Sequence, residues 1–268
     1  MKKIFLVITL LLQIVSFAQP NTKTSLAEAA LKGKVKSVRE KTFSATQTDN
    51  EIQLGSLTNG TKNTFTTYNI DGYQTEMIAF DTNNFQVRRY TTEYDKNNLL
   101  LREETFDAKD SLLLFSVYEY QKGHISKGKC FRANGELFEY FDYFYDTNGN
   151  LVEQKGYFDT VLFTRWVYVY DTFNRLITKN IFDSKDNLTW YLRSDYKPFG
   201  EREDHTGKPN EEQINMFNSA GLCVISINFY GIKDTFEYEF DAAGNWTICR
   251  SYRDDVLIFV AKRQITYY

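Results

Sequence analysis

Asp146, Asn148 and Asn150 sit at alternate positions, the spacing of the first three oxygen ligands in a calcium-binding loop. A complete loop needs a glycine at position six and a bidentate glutamate at position twelve, and this chain has Leu151 and Tyr157 there, so turn chemistry explains the same residues. Two acid pairs, Glu103-Glu104 and Asp254-Asp255, have the composition of a glycosidase centre. Adjacent strand residues point to opposite faces, however, so neither pair converges on one bond, and solvated sheet edges are the simpler reading. No serine or cysteine stands in a G-x-S-x-G elbow. Cys130, Cys223 and Cys249 with His124 and His205 give no C-x-x-C pair and no zinc pattern. With three cysteines at least one stays unbridged. Cys223 and Cys249 lie one repeat apart, and could bridge only with Cα atoms within about 7 Å; small buried filler is the alternative. The sequence therefore assigns no catalytic, cofactor-binding or metal-binding residue, implies no cofactor, and does not read as an enzyme.

What positions these residues is a repeat. An aromatic followed by a turn-forming or polar residue recurs at Tyr68-Asn69, Tyr94-Asp95, Tyr120-Gln121, Tyr145-Asp146, Tyr170-Asp171 and Tyr196-Lys197, at spacings of 26, 26, 25, 25 and 26 residues. Fainter copies follow at Phe217-Asn218 and Phe240-Asp241. A fixed period of this length means one supersecondary unit stacked on copies of itself. A second aromatic falls twelve residues after the first, at Phe80, Phe106, Tyr157, Phe182, Phe229 and Tyr252, and one residue early at Phe131. The working step is thus a strand plus a short turn.

The turns are written as Asp71-Gly72, Asn83-Asn84, Asn97-Asn98, Asn134-Gly135, Asn148-Gly149, Asp186-Asn187 and Gly244-Asn245. Gly and Asn tolerate the positive φ of tight hairpins, and links this short make successive strands antiparallel neighbours. Counting back in twos from the leading aromatics gives columns that share one strand face: Tyr145, Tyr143 and Phe141; Tyr170, Tyr168 and Trp166; Tyr196, Ser194, Leu192 and Trp190. Such columns stack on sugar rings when they face water, but patches of that size are more often core. The opposite face is mixed, with Thr189, Tyr191, Arg193 and Asp195 polar but Phe138, Tyr140 and Phe144 not. The fold expected is all-β: a long antiparallel meander of about 16–18 strands, too wide to stay open and flat, and so curled or spirally wound.

Two stretches break the pattern after a short N-terminal helix over residues 24–33, which Ser25 and Glu28 would cap and Gly33 would end, and which would cover the first edge of the sheet. Thr46 to Asn63, with Asn59-Gly60, reads as a long loop, and Pro198 to Glu212 as a hairpin with an enlarged tip. Loops that break a repeat are where function concentrates, though neither carries a recognisable motif.

Residues 1–18 read as an export leader: Lys2 and Lys3, an apolar run from Ile4 to Val15, then Ser16-Phe17-Ala18 at the cleavage positions. The run is too short to span a bilayer, so no transmembrane segment is expected after its removal. Residues 19–33 then form the N-terminal segment and 34–268 the β domain. Without Lys2 and Lys3, 30 basic residues stand against 35 acidic ones, a net charge of −5, interspersed and without a basic stripe. That argues against nucleic acid as a partner.

Tyr145-Asp-Thr-Asn-Gly149-Asn-Leu151, followed by Tyr168-Val-Tyr170-Asp171, resembles the YD repeat of RHS-type bacterial proteins. The resemblance spans roughly residues 64–252 and is strongest over 138–176. It implies a spirally wound antiparallel sheet, which in larger relatives forms a shell around a toxin or a carbohydrate-binding surface protein. The period here is longer than the usual unit, and there is no Asp-Pro self-cleavage motif, so the toxin-shell role is not carried over. The expectation is an exported, non-enzymatic binding or scaffolding module of the periplasm, cell surface or surroundings, its partner an unknown envelope protein or carbohydrate. Two alternatives stand beside it: a glycan-binding or glycan-processing envelope protein, and an outer-membrane β-barrel. Against the barrel, the units are short for spanning strands, and charges such as Arg88, Arg89, Glu103 and Glu104 fall on both faces.

Overall fold

A computed structural model describes residues 25–49, 51–58 and 63–268. The expected export leader and Asn59-Gly60 lie outside these. One helical turn, α1 (Ser25–Glu28), precedes nineteen antiparallel strands in one sheet. The strands run β1 (Val35–Thr48), β2 (Glu51–Leu57), β3 (Thr64–Tyr68), β4 (Gln74–Phe80), β5 (Gln86–Tyr94), β6 (Leu100–Phe106) and β7 (Leu112–Gln121). They continue with β8 (His124–Arg132), β9 (Leu137–Tyr145), β10 (Leu151–Phe158), β11 (Val161–Tyr170), β12 (Leu176–Asp183) and β13 (Leu188–Tyr196). The last are β14 (Arg202–Lys208), β15 (Glu211–Phe217), β16 (Cys223–Ile227), β17 (Lys233–Phe240), β18 (Trp246–Arg253) and β19 (Val256–Tyr267).

From β3 to β19 each strand pairs with the next, as the repeat requires. The sheet is not a spiral. β19 pairs with β1 from Val35↔Tyr267 to Ser44↔Phe259, and the other edge of β1 pairs with β3 from Ser37↔Thr67 to Glu40↔Thr64. Nineteen strands less β2 therefore close into an 18-strand barrel, and closure removes the edges that a wide open sheet would leave bare. Neighbouring-strand periodicity carries no record of which distant edges meet, which is why the repeat alone suggested coiling.

Most turns of the repeat are built by their first residue. Asp171 accepts hydrogen bonds at Oδ1 from the backbone N–H of Phe173 and Arg175, both at 2.9 Å, and Asn174 takes the left-handed conformation at φ 57°. The same pattern recurs from Asp81, Asp95, Asp107, Asp146, Asp183, Asn218, Asn228 and Asp241. These are three-residue hairpin loops closed by a bulge, and the strand register slips beside them. The leading tyrosine then locks the unit. Tyr94, Tyr120, Tyr170 and Tyr196 donate their hydroxyls to the carbonyls of Gln74, Leu100, Leu151 and Leu176, at 2.8–3.2 Å. Each bond ties the end of one hairpin to the start of the one before, contributing about 0.5–1.5 kcal/mol.

Three expectations change. The stretch 46–63 is not a loop where it is described: β1 runs on past the ring and turns into β2, with Ala45↔Leu54 to Thr48↔Glu51 in register. Pro198 to Glu212 has no enlarged tip, but a 3-10 turn at Pro198–Gly200 and a hairpin whose two-residue tip is Pro209-Asn210, with Asn210 at φ 70°. The helix is one turn rather than residues 24–33. Ser25 Oγ accepts from the N–H of Gln74, and the segment then reaches Asn245, which is bonded to Lys32 N (2.7 Å) and Lys32 O (2.8 Å). Leu26 and Leu31 pack on Val35, Val38, Tyr68 and Ile265, so the segment clamps the seam where the ring closes instead of covering an open edge.

Candidate functional site

Cross-strand register divides every strand into an inner and an outer set. The inner wall of β6 to β13 forms four rows. Glu103, Ser116, Cys130 and Glu139 stand opposite one another in the first. Tyr118, Gly128, Phe141, Gly156 and Thr164 form the second. The third is Tyr143, Gln154, Trp166, Ile181 and Trp190, and the fourth Tyr168, Lys179 and Leu192. The aromatic columns read from the sequence are therefore the inner face, and Ile125, Phe141, Tyr143, Leu151, Trp166 and Tyr168 are its buried centre.

Two glycines let this layer pack. A Cβ on Gly156 would lie 2.6 Å from the Phe141 ring and 2.8 Å from Thr164 Cγ2. One on Gly128 would lie 3.1 Å from the Tyr118 ring and 3.4 Å from the Tyr143 hydroxyl. A glycine inside a strand marks such close approach, and here it admits neighbouring rings rather than backbone.

The wall is not purely apolar. Tyr118 donates its hydroxyl to the Glu103 carboxylate. Although part of Glu103 remains open, its carboxyl is sunk among the rings, and loss of solvation raises its pKa to about 7 against the lowering effect of Tyr118. Burial does the same to Glu139, also to about 7. The Lys179 amine lies 4.2 Å from the Trp166 ring and 5.8 Å from Trp190, and burial lowers its pKa to about 8. Three polar atoms in this layer are buried with no hydrogen-bond partner: the hydroxyls of Tyr143 and Tyr145 and Nε2 of Gln154, whose Oε1 accepts from Tyr168 at 3.2 Å.

Tyr145 is informative because its counterparts in other repeats are satisfied. The preceding unit carries Gln121 where others carry Asp, and its turn is the two-residue Lys122-Gly123 (φ 52° and 81°). The Tyr145 hydroxyl has no carbonyl partner, and the His124 ring lies tilted against the tyrosine ring, centroids 4.6 Å apart.

The outer wall is charged at mid-strand. Arg89 pairs with Glu76 and Asp110, Arg102 with Glu104, Lys127 with Asp142, Lys129 with Glu119, and Lys155 with Glu153. Arg165 pairs with Glu153 and Asp186, and Arg250 with Glu239. The outward aromatics lie beneath these cations: Arg89 over Phe106, Arg102 over Phe115, Lys127 over Tyr140, Lys155 over Phe144 and Arg165 over Phe182. This accounts for Tyr140 and Phe144 on a face that is otherwise polar.

The residues singled out in the sequence are scattered. Asp146 accepts from Asn148 N, Asn150 N and Asn150 Nδ2, so its own loop uses the carboxylate. Glu103 points inward and Glu104 outward to Arg102. Asp254 and Asp255 are the two-residue tip between β18 and β19, at φ 48° and 62°. The Cys130 thiol is pushed up to about 12 by burial, which leaves it protonated and a poor nucleophile. Cys223 on β16 and Cys249 on β18 have β17 between them, and no disulfide joins them. Glu103 and Glu139 share one row but stand three strands apart, about 14 Å between backbones at the usual strand spacing. Glycosidase carboxyls are about 5–9.5 Å apart.

No family model and no curated protein matches this chain. Among solved structures it is similar to a porin-like protein from Bacteroides uniformis, with 10% identity, 88% of this chain and 98% of that chain covered, and a TM-score of 0.44. A porin-like protein from Bacteroides vulgatus gives 12% identity, 87% and 98% coverage, and a TM-score of 0.38. The TcdB2-TccC3-TEV structure gives 10% identity over 81% of this chain and 17% of that one, with a TM-score of 0.19. At these scores no function passes from them to this chain. Among the described residues no helix is long and apolar enough to cross a membrane, which says nothing of a barrel.

Proposed function

We propose that the chain is an exported, non-enzymatic β-barrel that binds a hydroxyl- or amide-bearing ligand, of envelope glycan type, along its inner wall. The observation that supports this best is the set of unpartnered buried polar atoms on Tyr143, Tyr145 and Gln154, beside Glu103 and Glu139, in a wall of Tyr and Trp rings. The large majority of buried polar groups are satisfied, so a group of three in one wall calls for a partner. A sugar would meet them with hydroxyls while its apolar face lies on a ring. Export rests on the leader at residues 1–18. The test is calorimetry of the mature protein with cell-wall oligosaccharides. Saturable binding, weakened tenfold or more by Tyr143→Phe with Gln154→Leu and without turnover, is the expected result. No heat with any glycan, and nothing retained from envelope extract at any salt, would overturn the reading.

A second reading, an outer-membrane barrel, is favoured by ring closure and by the polar inner sector on β13 to β17, where Ser194 bonds Asp204 and Asp234 pairs with Arg253. The outer wall weighs against it. An outward Arg or Lys at the bilayer midplane costs about 2–4 kcal/mol. Arg89, Arg102, Lys127, Lys129, Lys155, Arg165 and Arg250 together would exceed a domain's whole stability of about 5–15 kcal/mol. Release by osmotic shock without detergent favours the water-facing tube; recovery only in detergent reverses the order of the two readings.

A further inference from the structure

On the outer wall of β13 to β15 the pattern of isolated ion pairs gives way to a convergent cluster. Asp195 stands opposite Glu203 in the register, and His205 lies two residues beyond Glu203 on the same face. His205 Nε2 is 2.8 Å from Glu203 Oε1 and 3.8 Å from Asp195 Oδ2, and one donor atom from each residue falls within 4.8 Å of the others. Nitrogen and carboxylate ligands about 2.0–2.2 Å from a common cation lie at most about 4.4 Å apart, so small side-chain rotations bring these atoms to ligating separations. His205 is also buried to 9% exposure, whereas Arg193 and Asp195 beside it on the same face are exposed. Its Nδ1 has no hydrogen-bond partner, but Glu212 Oε2 lies 3.3 Å away, off the N–H line, and Glu212 Oε1 is held by the Tyr191 hydroxyl at 2.7 Å.

We propose that Asp195, Glu203 and His205 bind a divalent first-row metal ion such as zinc, with Glu212 orienting the imidazole. A small rotation of the ring lets Nδ1–H donate to Glu212, which leaves the Nε2 lone pair facing the two carboxylates. A carboxylate behind a metal-bound histidine is the usual outer-shell arrangement. The other oxygen of Glu203 is taken by Lys197 at 2.6 Å, which fixes Oε1 toward the imidazole. Three carboxylates face only two permanent cations, Lys197 and Arg193, the latter 3.5 Å from Asp195. The excess negative charge suits a dication. Mixed imidazole and carboxylate ligands suit zinc or manganese, with solvent completing the shell. Bound there, the ion would tie β13 to β14 directly, and to β15 through Glu212, where the inner layer is polar.

The test uses the untagged mature protein, stripped with chelator and titrated with Zn2+ and, for its visible spectrum, Co2+. One equivalent should bind, with Co2+ bands of nitrogen and oxygen ligation, and the unfolding temperature should rise. His205→Gln should abolish binding while circular dichroism stays unchanged, His124→Gln should leave binding intact, and Glu212→Gln should weaken it about 10–100-fold. The proposal fails if neither metal binds saturably, or if His205→Gln binds as the parent does, which would place the metal elsewhere, on the cysteines for example.

Discussion

The two halves of the ring are made of the same repeat and hold together differently. Along β9 and β11 the inner positions are Phe141, Tyr143, Trp166 and Tyr168, nearly all enclosed. Along β15 to β17 the corresponding face offers Gln213, Asn215, Ser226 and Asp234, tied by Gln213 Nε2 to Asn215 (3.1 Å) and Ser226 (3.0 Å) and by Asp234 to Arg253. One half gains from apolar burial, at roughly 25 cal/mol per Å2; the other relies on the backbone ladder and on exposed polar pairs that are each worth about 0–1 kcal/mol. A barrel needs every strand paired, but not every strand packed.

Truncation should separate the halves most clearly. Trp166→Ala removes a fully enclosed ring and should cost about 3–5 kcal/mol in urea unfolding, whereas Phe236→Ala on the thin side should cost less than about 2 kcal/mol. Equal losses would mean that the thin half packs after all.

Next in size is a pH effect confined to the thick wall. Glu103 and Glu139 have folded pKa values raised to about 7, above the ordinary carboxyl range. Their contribution is therefore fully present below the unfolded value and lost as pH rises through about 7. Stability should fall by on the order of 1–3 kcal/mol between pH 4.5 and pH 8, after allowance for the part of Glu103 still open to water. Lys179 titrates at about 8 in the fold, so it stays charged in both states over most of this window and does not offset the trend. Unfolding of Glu103→Gln with Glu139→Gln should be nearly flat over the same range; a persisting slope would place the effect elsewhere.

The smallest contrast sets one tyrosine against its twin in the repeat. Tyr170→Phe deletes the bond to the Leu151 carbonyl and should cost about 0.5–1.5 kcal/mol. Tyr145→Phe deletes a hydroxyl with no partner and should change stability by less than about 0.5 kcal/mol, or raise it. Identical losses would show that Tyr145 has a partner after all, water or otherwise.

The repeat, the turns and the inward columns were legible because period-two alternation and Asp, Asn and Gly at turns report local geometry. Even the irregular unit left a trace, in Gln121 for Asp and Phe131 one residue early. The β1–β2 hairpin was not legible: beyond Ala45, which is still packed against Leu257 and Val260, it projects past the ring with water on both faces, so Thr46, Gln47, Gln53 and Ser56 show no alternation to read. The His205 cluster was hidden for another reason. Its members come from three strands, and all but Asp195 fall in a stretch whose Pro198, Gly200, Gly207 and Pro209 look like a long loop. The one available sign was the clean polar set Tyr191, Arg193 and Asp195 on the outer face.

The closing seam has a temporal meaning. Ser37 and Thr266 share a hydrogen bond across 229 residues, so the first ring strand to emerge is among the last to be completed on both sides. The entropic penalty for so long a loop grows only by about 0.6 kcal/mol per doubling, so the finished ring loses little by it. The delay is kinetic: until β19 arrives, an otherwise finished meander carries an unsatisfied flank at each end. Two nascent chains at high local concentration can satisfy those flanks by closing each other's rings, and a chaperone that shields β1 would decide between monomer and exchanged dimer.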